Sequence, residues 1–536
     1  MANRTFTRLA SLAGLSLFIV TGCGSNDPAP ADELPPIAPI DIETDKGPVT
    51  GAALDGTRVF LGIPFAAPPI GDLRWKPPMP HEPWTTPLDA RNKGPACSQF
   101  SRLGATLDSA SSEDCLTLNV WTPERIAEPA PVLVWIYGGG FTSGSNRELA
   151  YDGQILSEMT GAVVVNLNYR LGPFGSLALS ALEKEDPNHP STGAYGIEDQ
   201  RAALQWVQNN IAAFGGDPNR VLLFGESAGG ISTCMHIVSP ASKGLFQAAV
   251  VESGPCDSAT AKDKALAQGQ EFAAALGCDM ATDVLACLRG KTPEEIITAL
   301  PASSDLIFGD GANWFPVLDG FNLPDKPTTL LESGNFNKVP TIIGANADEG
   351  TLFFFLAKTT IADDAQFEAF AEKLVPGHGK DVVARYSSTA FGTAQDAALA
   401  AVGDAGFICP ARRAARAIAN TGTPAYRYHF TYAPPGALFG GLGAFHAAEI
   451  KFVFGIPSQL VPQPLSDEEA VMSKAIMGYW SGLAAKGDPN GQGALAWPKY
   501  NANKDETMVL DLTLSTKTNL LKDECDFWDG LEIMTP

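Results

Sequence analysis

From about residue 130 onward, short runs of consecutive apolar residues alternate with longer stretches whose apolar positions recur at helical spacing. PVLVWIY (131–137), AVVVNLNY (162–169), VLLFG (221–225), AAVVE (248–252), VPTIIGA (339–345) and AYRYHF (425–430) read as strands. Several are apolar at successive positions, as strands covered on both faces must be. Between them, DQRAALQWVQNNIAAF (199–214) carries the helical period. Strands alternating with helices predict an α/β fold, with a mostly parallel central sheet and helices on both faces. The Ala-rich stretch from about 355 to 425 predicts further helices, forming a cap-like insertion. No repeat and no second low-complexity linker divides the body.

Composition adds little beyond globularity, at 45% hydrophobic and 18% charged residues in a chain of 536. The formal charge of −23 excludes a nucleic-acid partner, which would need clustered Lys and Arg. It also disfavours adhesion to anionic lipid.

The N-terminus changes the picture more. Arg4 and Arg8 precede the apolar stretch Leu9–Val20, which is too short to span a bilayer and predicts an export signal over residues 1–22. Val20-Thr21-Gly22-Cys23 resembles a bacterial lipobox, predicting lipid on Cys23 and a membrane tether or secretion. The Pro- and acid-rich run GSNDPAPADELPPIAPI cannot bury enough surface to fold, so residues 23–40 are expected to be a flexible tether and 41–536 the folded body. Export permits disulfides. No Cys pair has the CxxC spacing of a zinc site, so no metal is expected. Cys97, Cys115, Cys278, Cys287, Cys409 and Cys525 leave several pairings open, while Cys234 and Cys256 are expected to be buried free thiols.

The chemistry centres on VLLFGESAGG, which sets Ser227 in Gly225-x-Ser-x-Gly229 between a strand and a helical run, Gly230 to Val238. So sharp a strand-to-helix turn needs small flanking residues, holds the hydroxyl clear of the sheet, and leaves a helix N-terminus to favour developing negative charge. Strand 131–137 ends in Gly138-Gly139-Gly140-Phe141, a glycine loop whose backbone amides can approach a carbonyl oxygen. The predicted oxyanion donors are the N–H groups of Gly139, Gly140 and Ala228.

A nucleophile of this kind is followed along the chain by an acid and then a His. His378, His429 and His446 follow Ser227 beyond its own helix. His429 falls in a predicted strand and His378 in the cap-like stretch. His446 sits in the loop GALFGGLGAFHAAE after the last predicted strand, where the base belongs. The acid should follow VPTIIGA, where GANADEG offers Asp348 and Glu349.

With these motifs in order, the chain resembles the type-B carboxylesterase/lipase family, which includes the cholinesterases, from about Pro48 to Trp528. FLGIPFAAPPIGDLRWKPP (60–78) and EDCLTLNVWTP (113–123) are similar to the two family signatures, and NYRLGPFGSL, GIEDQRAALQWVQNNIAAFGGDPNRV, FGESAGG and HAAEIKFVFG follow in family order. The resemblance implies an α/β-hydrolase fold and a serine carboxylesterase acting on a small-molecule ester without a cofactor. It implies Ser227, Glu349 and His446 as the triad, with Glu226, Ser253 and Glu449 grouped near the His. It also implies disulfides Cys97–Cys115, Cys278–Cys287 and Cys409–Cys525. An ungapped match puts Asp310 and Ala312 where cholinesterases carry acyl-pocket aromatics, so the pocket should take bulkier acyl groups, with Phe353 still lining it.

The segment between Cys97 and Cys115 has 17 residues, mostly small or polar, with one aromatic, Phe100, and no Trp. In the family this loop is the lid of true lipases and carries the choline-binding Trp of cholinesterases, so an open site without choline preference is expected here. Two rival readings keep the fold: a silent binding or adhesion protein, which the intact triad opposes, and a hydrolase of amide or carbonate bonds.

Overall fold

Residues 40–100, 107–300, 311–436, 440–491 and 494–531 are described by the computed structural model of the chain. The predicted signal, Cys23 and nearly all of the tether lie outside them. Among the described residues no helix is long and apolar enough to cross a membrane.

The apolar runs become strands buried along nearly their whole length. In chain order the long strands are β1 (Ile40–Glu43), β2 (Pro48–Leu54), β3 (Thr57–Pro64), β4 (Thr117–Pro123), β5 (Ala130–Ile136), β6 (Val163–Leu167), β7 (Gly216–Glu226), β8 (Ala248–Glu252), β9 (Thr341–Asn346), β10 (Ala425–Phe430), β11 (Glu506–Leu510) and β12 (Ser515–Thr518). They form one sheet in the order β1-β2-β3-β4-β6-β5-β7-β8-β9-β10-β11-β12, with the two-residue strand Leu88–Asp89 beside β2. From β6 to β11 every neighbour is parallel. The antiparallel pairs are confined to the two ends. The parallel strands are the Val-, Ile- and Leu-rich ones, because helices cover both of their faces. The chain thus has the α/β-hydrolase fold.

Contrary to expectation, β10 is not the last strand, since β11 and β12 follow the loop that carries His446. Met508–Leu510 pair with Tyr428–Phe430 and extend the sheet beyond it. The run ETMVL in a polar neighbourhood is too short to stand out by periodicity alone.

The helical segments fall where the spacing indicates. Helix α1 spans Tyr195–Asn210 and tightens into a 3-10 turn at Ile211–Phe214. Helix α2 (Ala228–Val238) follows β7 and is buried on every side. Helix α3 (Glu349–Ala357) follows β9. The cap-like insertion holds helix Asp364–Leu374, α4 (Ala394–Gly403) and α5 (Cys409–Asn420). It has its own apolar cluster around Phe367, Val382, Tyr386 and Ala397, closed by Trp528 from the C-terminal helix.

Disulfides join Cys97 to Cys115, Cys278 to Cys287 and Cys409 to Cys525, as the family resemblance implied. Cys234 and Cys256 correct the expectation of free thiols, because they are bonded to each other. Cys234 lies on α2 and Cys256 in the loop after β8. Packing of α2 against β8 brings their Cα atoms to 5.3 Å, within bridging reach. Nothing in the local sequence announces a contact that the sheet creates.

Candidate active site

The turn at Ser227 is tight because β7 reverses into α2 within one residue. Ser227 has φ 56° and ψ −121°, a conformation L-residues rarely adopt, and its backbone N–H donates to Glu252 O at 2.9 Å. A Cβ on Gly229 would lie 1.9 Å from Ile136 O, and one on Gly225 would lie 2.5 Å from Gly229 C. Only glycine lets α2 approach β5 and β7 this closely. The Ser227 side chain therefore stands at the C-terminal edge of the parallel strands, where open α/β sheets carry their sites.

The glycine loop after β5 abuts the same turn. A Cβ on Gly138 would be 2.9 Å from Ser227 Cβ, so loop and nucleophile are in contact. Gly139 and Gly140 have φ 113° and 61°. Among the described residues no hydrogen bond takes up either N–H, whereas Gly139 O accepts from Thr142 N and Ser143 N, both at 3.1 Å. Ala228 is the first helical residue of α2, and its N–H has no acceptor within the helix. Among the described residues, the N–H groups of Gly139, Gly140 and Ala228 are thus without a hydrogen-bond acceptor.

His446 is buried, and its Nδ1 lies 2.5 Å from Glu349 Oε2. Glu349 is fully buried at the first turn of α3, where the helix N-terminus favours a carboxylate. Its other oxygen accepts from Ser253 Oγ at 2.6 Å and from Asn346 N at 2.7 Å. Asp348, the alternative acid, does different work: its Oδ2 accepts from Ala444 N at 2.8 Å, and its N–H donates to Ala444 O at 3.0 Å. It ties down the loop on which His446 sits.

The other face of the imidazole meets Glu226. His446 Nε2 lies 3.1 Å from Glu226 Oε1 but makes no hydrogen bond in good geometry. Burial pushes the Glu226 carboxyl up to about 8. Burial alone would lower His446, but Glu226 and then Glu349 outweigh it and lift the imidazole to about 9. Glu449 accepts from Asn346 Nδ2 at 2.5 Å, and burial, then the charge of Glu349, raises it to about 7. Glu226, Ser253 and Glu449 thus all gather around His446 and Glu349.

Two contributors carried no signal in the sequence. Asn346 holds both Glu349 and Glu449 from the end of β9, yet reads there as an ordinary turn residue. Glu252 is buried at the end of β8 with Trp480 Nε1 donating to it at 2.7 Å, and burial holds its carboxyl well above the usual range.

Of the expected pocket residues, Phe353 packs on His446, with ring centroids 4.8 Å apart. Ala312 is buried in a separate cluster with Trp75, Phe174 and Trp314, and Asp310 lies outside the described residues. The described part of the Cys97–Cys115 loop is docked rather than free. Gln99 Nε2 donates to Gly144 O at 2.8 Å and Gln99 Oε1 accepts from Gly144 N at 2.9 Å. Phe100 and Leu107 pack on the Trp75 cluster. Among the described residues no group of His, Cys, Asp and Glu is arranged to hold a metal ion.

The profile of the Carboxylesterase family matches residues 38–528 of the chain. The acetylcholinesterase of Bungarus fasciatus is 35% identical over an alignment of 561 positions, spanning 96% of this chain and 89% of that protein.

Proposed function

Because the chain belongs to the carboxylesterase family and is a serine carboxylic ester hydrolase, we propose that Ser227, His446 and Glu349 carry its reaction as a two-step acyl transfer. His446 takes the proton of Ser227 as Oγ attacks the ester carbonyl. The oxygen, now negative, is met by the N–H groups of Gly139, Gly140 and Ala228. His446 then returns the proton to the departing alcohol, and water repeats the sequence on the acyl-enzyme. Glu349 orients the imidazole and stabilises the imidazolium without itself becoming protonated. The observation that carries this reading is the 2.5 Å contact of His446 Nδ1 with a fully buried carboxylate; the strained turn at Ser227 and the glycine loop that abuts it support it.

The site is open and handles short- to medium-chain or bulky esters, without a lipase lid and without choline preference. The 17-residue disulfide loop supports this, since its aromatic Phe100 packs inward and Gln99 is anchored to Gly144. The lipobox-like Cys23, the tether after it and the disulfides support an exported protein held at a bacterial membrane or secreted. Replacing Ser227 or His446 by Ala in a chain of unchanged melting temperature tests the triad. Turnover should fall to a residue of roughly a thousand- to ten-thousand-fold over water, supplied by the oxyanion hole and binding. Near-normal turnover of a folded Ser227→Ala protein would overturn the assignment.

A further inference from the structure

A row of buried polar side chains crosses the central sheet beneath the site. Glu226 on β7 pairs in register with Glu252 on β8, Glu252 with Gly344 on β9, and Gly344 with Tyr428 on β10. Side chains in register on parallel strands share one face of the sheet, and here Trp480 from helix α6 (Asp467–Lys486) covers that face. Gly344 puts nothing between its neighbours. A Cβ there would lie 2.4 Å from Cγ of Tyr428, so the phenol ring lies across β9 and carries its hydroxyl toward Glu252. Trp480 packs on that ring, with centroids 6.1 Å apart, and its Nε1 donates to Glu252 Oε1 at 2.7 Å.

The hydrogens in this row do not match its acceptors. Among the described residues no hydrogen bond reaches Glu252 Oε2, Glu449 Oε1 or Tyr428 Oη, all of them buried. Were every carboxyl ionised, the phenol would hold the one hydrogen among the three atoms. The charges that bear on Glu252 are negative, Glu449 first and then Glu226, and these carboxylates together with Glu349 also bear on Tyr428. Among the described residues no Lys, Arg or His pairs with Glu252, whereas the charge of His446 favours the ionised forms of Glu226 and Glu449. Carboxyls crowded in a buried space cannot all ionise, and the one that faces no cation keeps its proton.

We propose that Glu252 is a positioning residue that works as a neutral acid: its Oε2–H supplies the donor that the row lacks, and its neutrality keeps a further buried charge away from Glu449 and Glu349. The proposal rests on the triad reading, because Glu252 acts through the groups that serve it. Its backbone O accepts from Ser227 N at 2.9 Å, and its neighbour Ser253 donates to Glu349 at 2.6 Å. Glu449 holds the Asn346 side chain, and the Asn346 backbone N–H donates to Glu349 at 2.7 Å. An anion at position 252 would push on both carboxylates and strain these contacts from behind.

Infrared difference spectra and steady-state kinetics on the full chain test this. At pH 7 the wild type should show a protonated-carboxyl C=O band that Glu252→Gln abolishes. Glu252→Leu keeps the bulk but leaves Trp480 Nε1 without its acceptor and the row without its donor, so kcat on p-nitrophenyl acetate should fall about tenfold with little change in KM. Glu252→Gln offers both an acceptor and a donor and should restore most of that loss. No band lost in the Gln variant, or a kcat as low as in the Leu variant, would mean that Glu252 works as an anion and would overturn the proposal. A folded Leu variant with the wild-type kcat would make Glu252 structural only and overturn it too. If the Leu variant does not fold, the infrared band and the Gln kinetics still decide. Failure of the triad reading shows separately, as turnover that survives in Ser227→Ala.

Discussion

The pair formed by His446 and Glu226 gives the protein a pH dependence that can be worked through in advance. As general base, His446 must be neutral to take the proton of Ser227. Its ordinary value is near 6.5, but the buried site lifts it to about 9. That difference amounts to on the order of 3 kcal/mol favouring the imidazolium. Accordingly, kcat/KM should still be climbing with pH above the ordinary imidazole range. Ionised Glu226 is the principal source of the lift, ahead of Glu349, while burial raises its own carboxyl, so the two groups titrate as a pair. Glu226→Gln keeps the shape but cannot ionise. In that variant the midpoint of the rise should move to lower pH, toward 6.5, and the plateau should fall because the imidazolium of the transition state loses a neighbouring charge. The assay is kcat/KM for a neutral ester from pH 6 to 10, on both proteins. A wild-type rise complete by pH 7, or the same midpoint in the variant, would refute this electrostatic reasoning.

Three further outcomes follow from contacts in the site. Ser253→Ala removes a donor to the Glu349 carboxylate at 2.6 Å, a bond to a charged group worth roughly 1.5–3 kcal/mol; kcat should fall about tenfold or more with little change in KM, in steady-state kinetics. Gly229→Ala would press a Cβ to within 1.9 Å of Ile136 O in β5, so the variant should lose roughly 3 kcal/mol or more; a native melting temperature would contradict this. Replacing both Cys234 and Cys256 by Ser opens a link across 22 positions, and denaturant titration should show a loss of roughly 3 kcal/mol.

The sequence was most legible where one physical requirement acts on neighbouring residues. Val-rich runs such as Val163–Leu167 must be strands buried on both faces, and Gly225, Ser227 and Gly229 can sit together only at a strand-to-helix turn. The order of nucleophile, acid and base singled out His446, and the structure sets it against Glu349. What stayed hidden depends on contacts between distant segments. Cys234 meets Cys256 only because α2 lies on β8. Asn346 matters because Glu349 and Glu449 converge on it from different elements. Phe407 reaches His446 through a π-helical turn, which changes the helical period by one residue and so escapes any search for regular spacing. The strand Glu506–Leu510 stayed hidden for another reason, since ETMVL is neither a run of consecutive apolar residues, as Val163–Leu167 is, nor long enough to establish an alternation.

The measurement closest to the central claim is covalent capture of the nucleophile. An organophosphate probe mimics the ester and stays on the hydroxyl that attacks it, so the intact chain should gain a single adduct, in step with loss of esterase activity. Peptide mapping should then find the adduct on Ser227, and prior replacement of His446 by Ala should slow labelling drastically. An enzyme that loses activity with the adduct on another residue, or that hydrolyses esters while Ser227 stays unlabelled, would contradict the account.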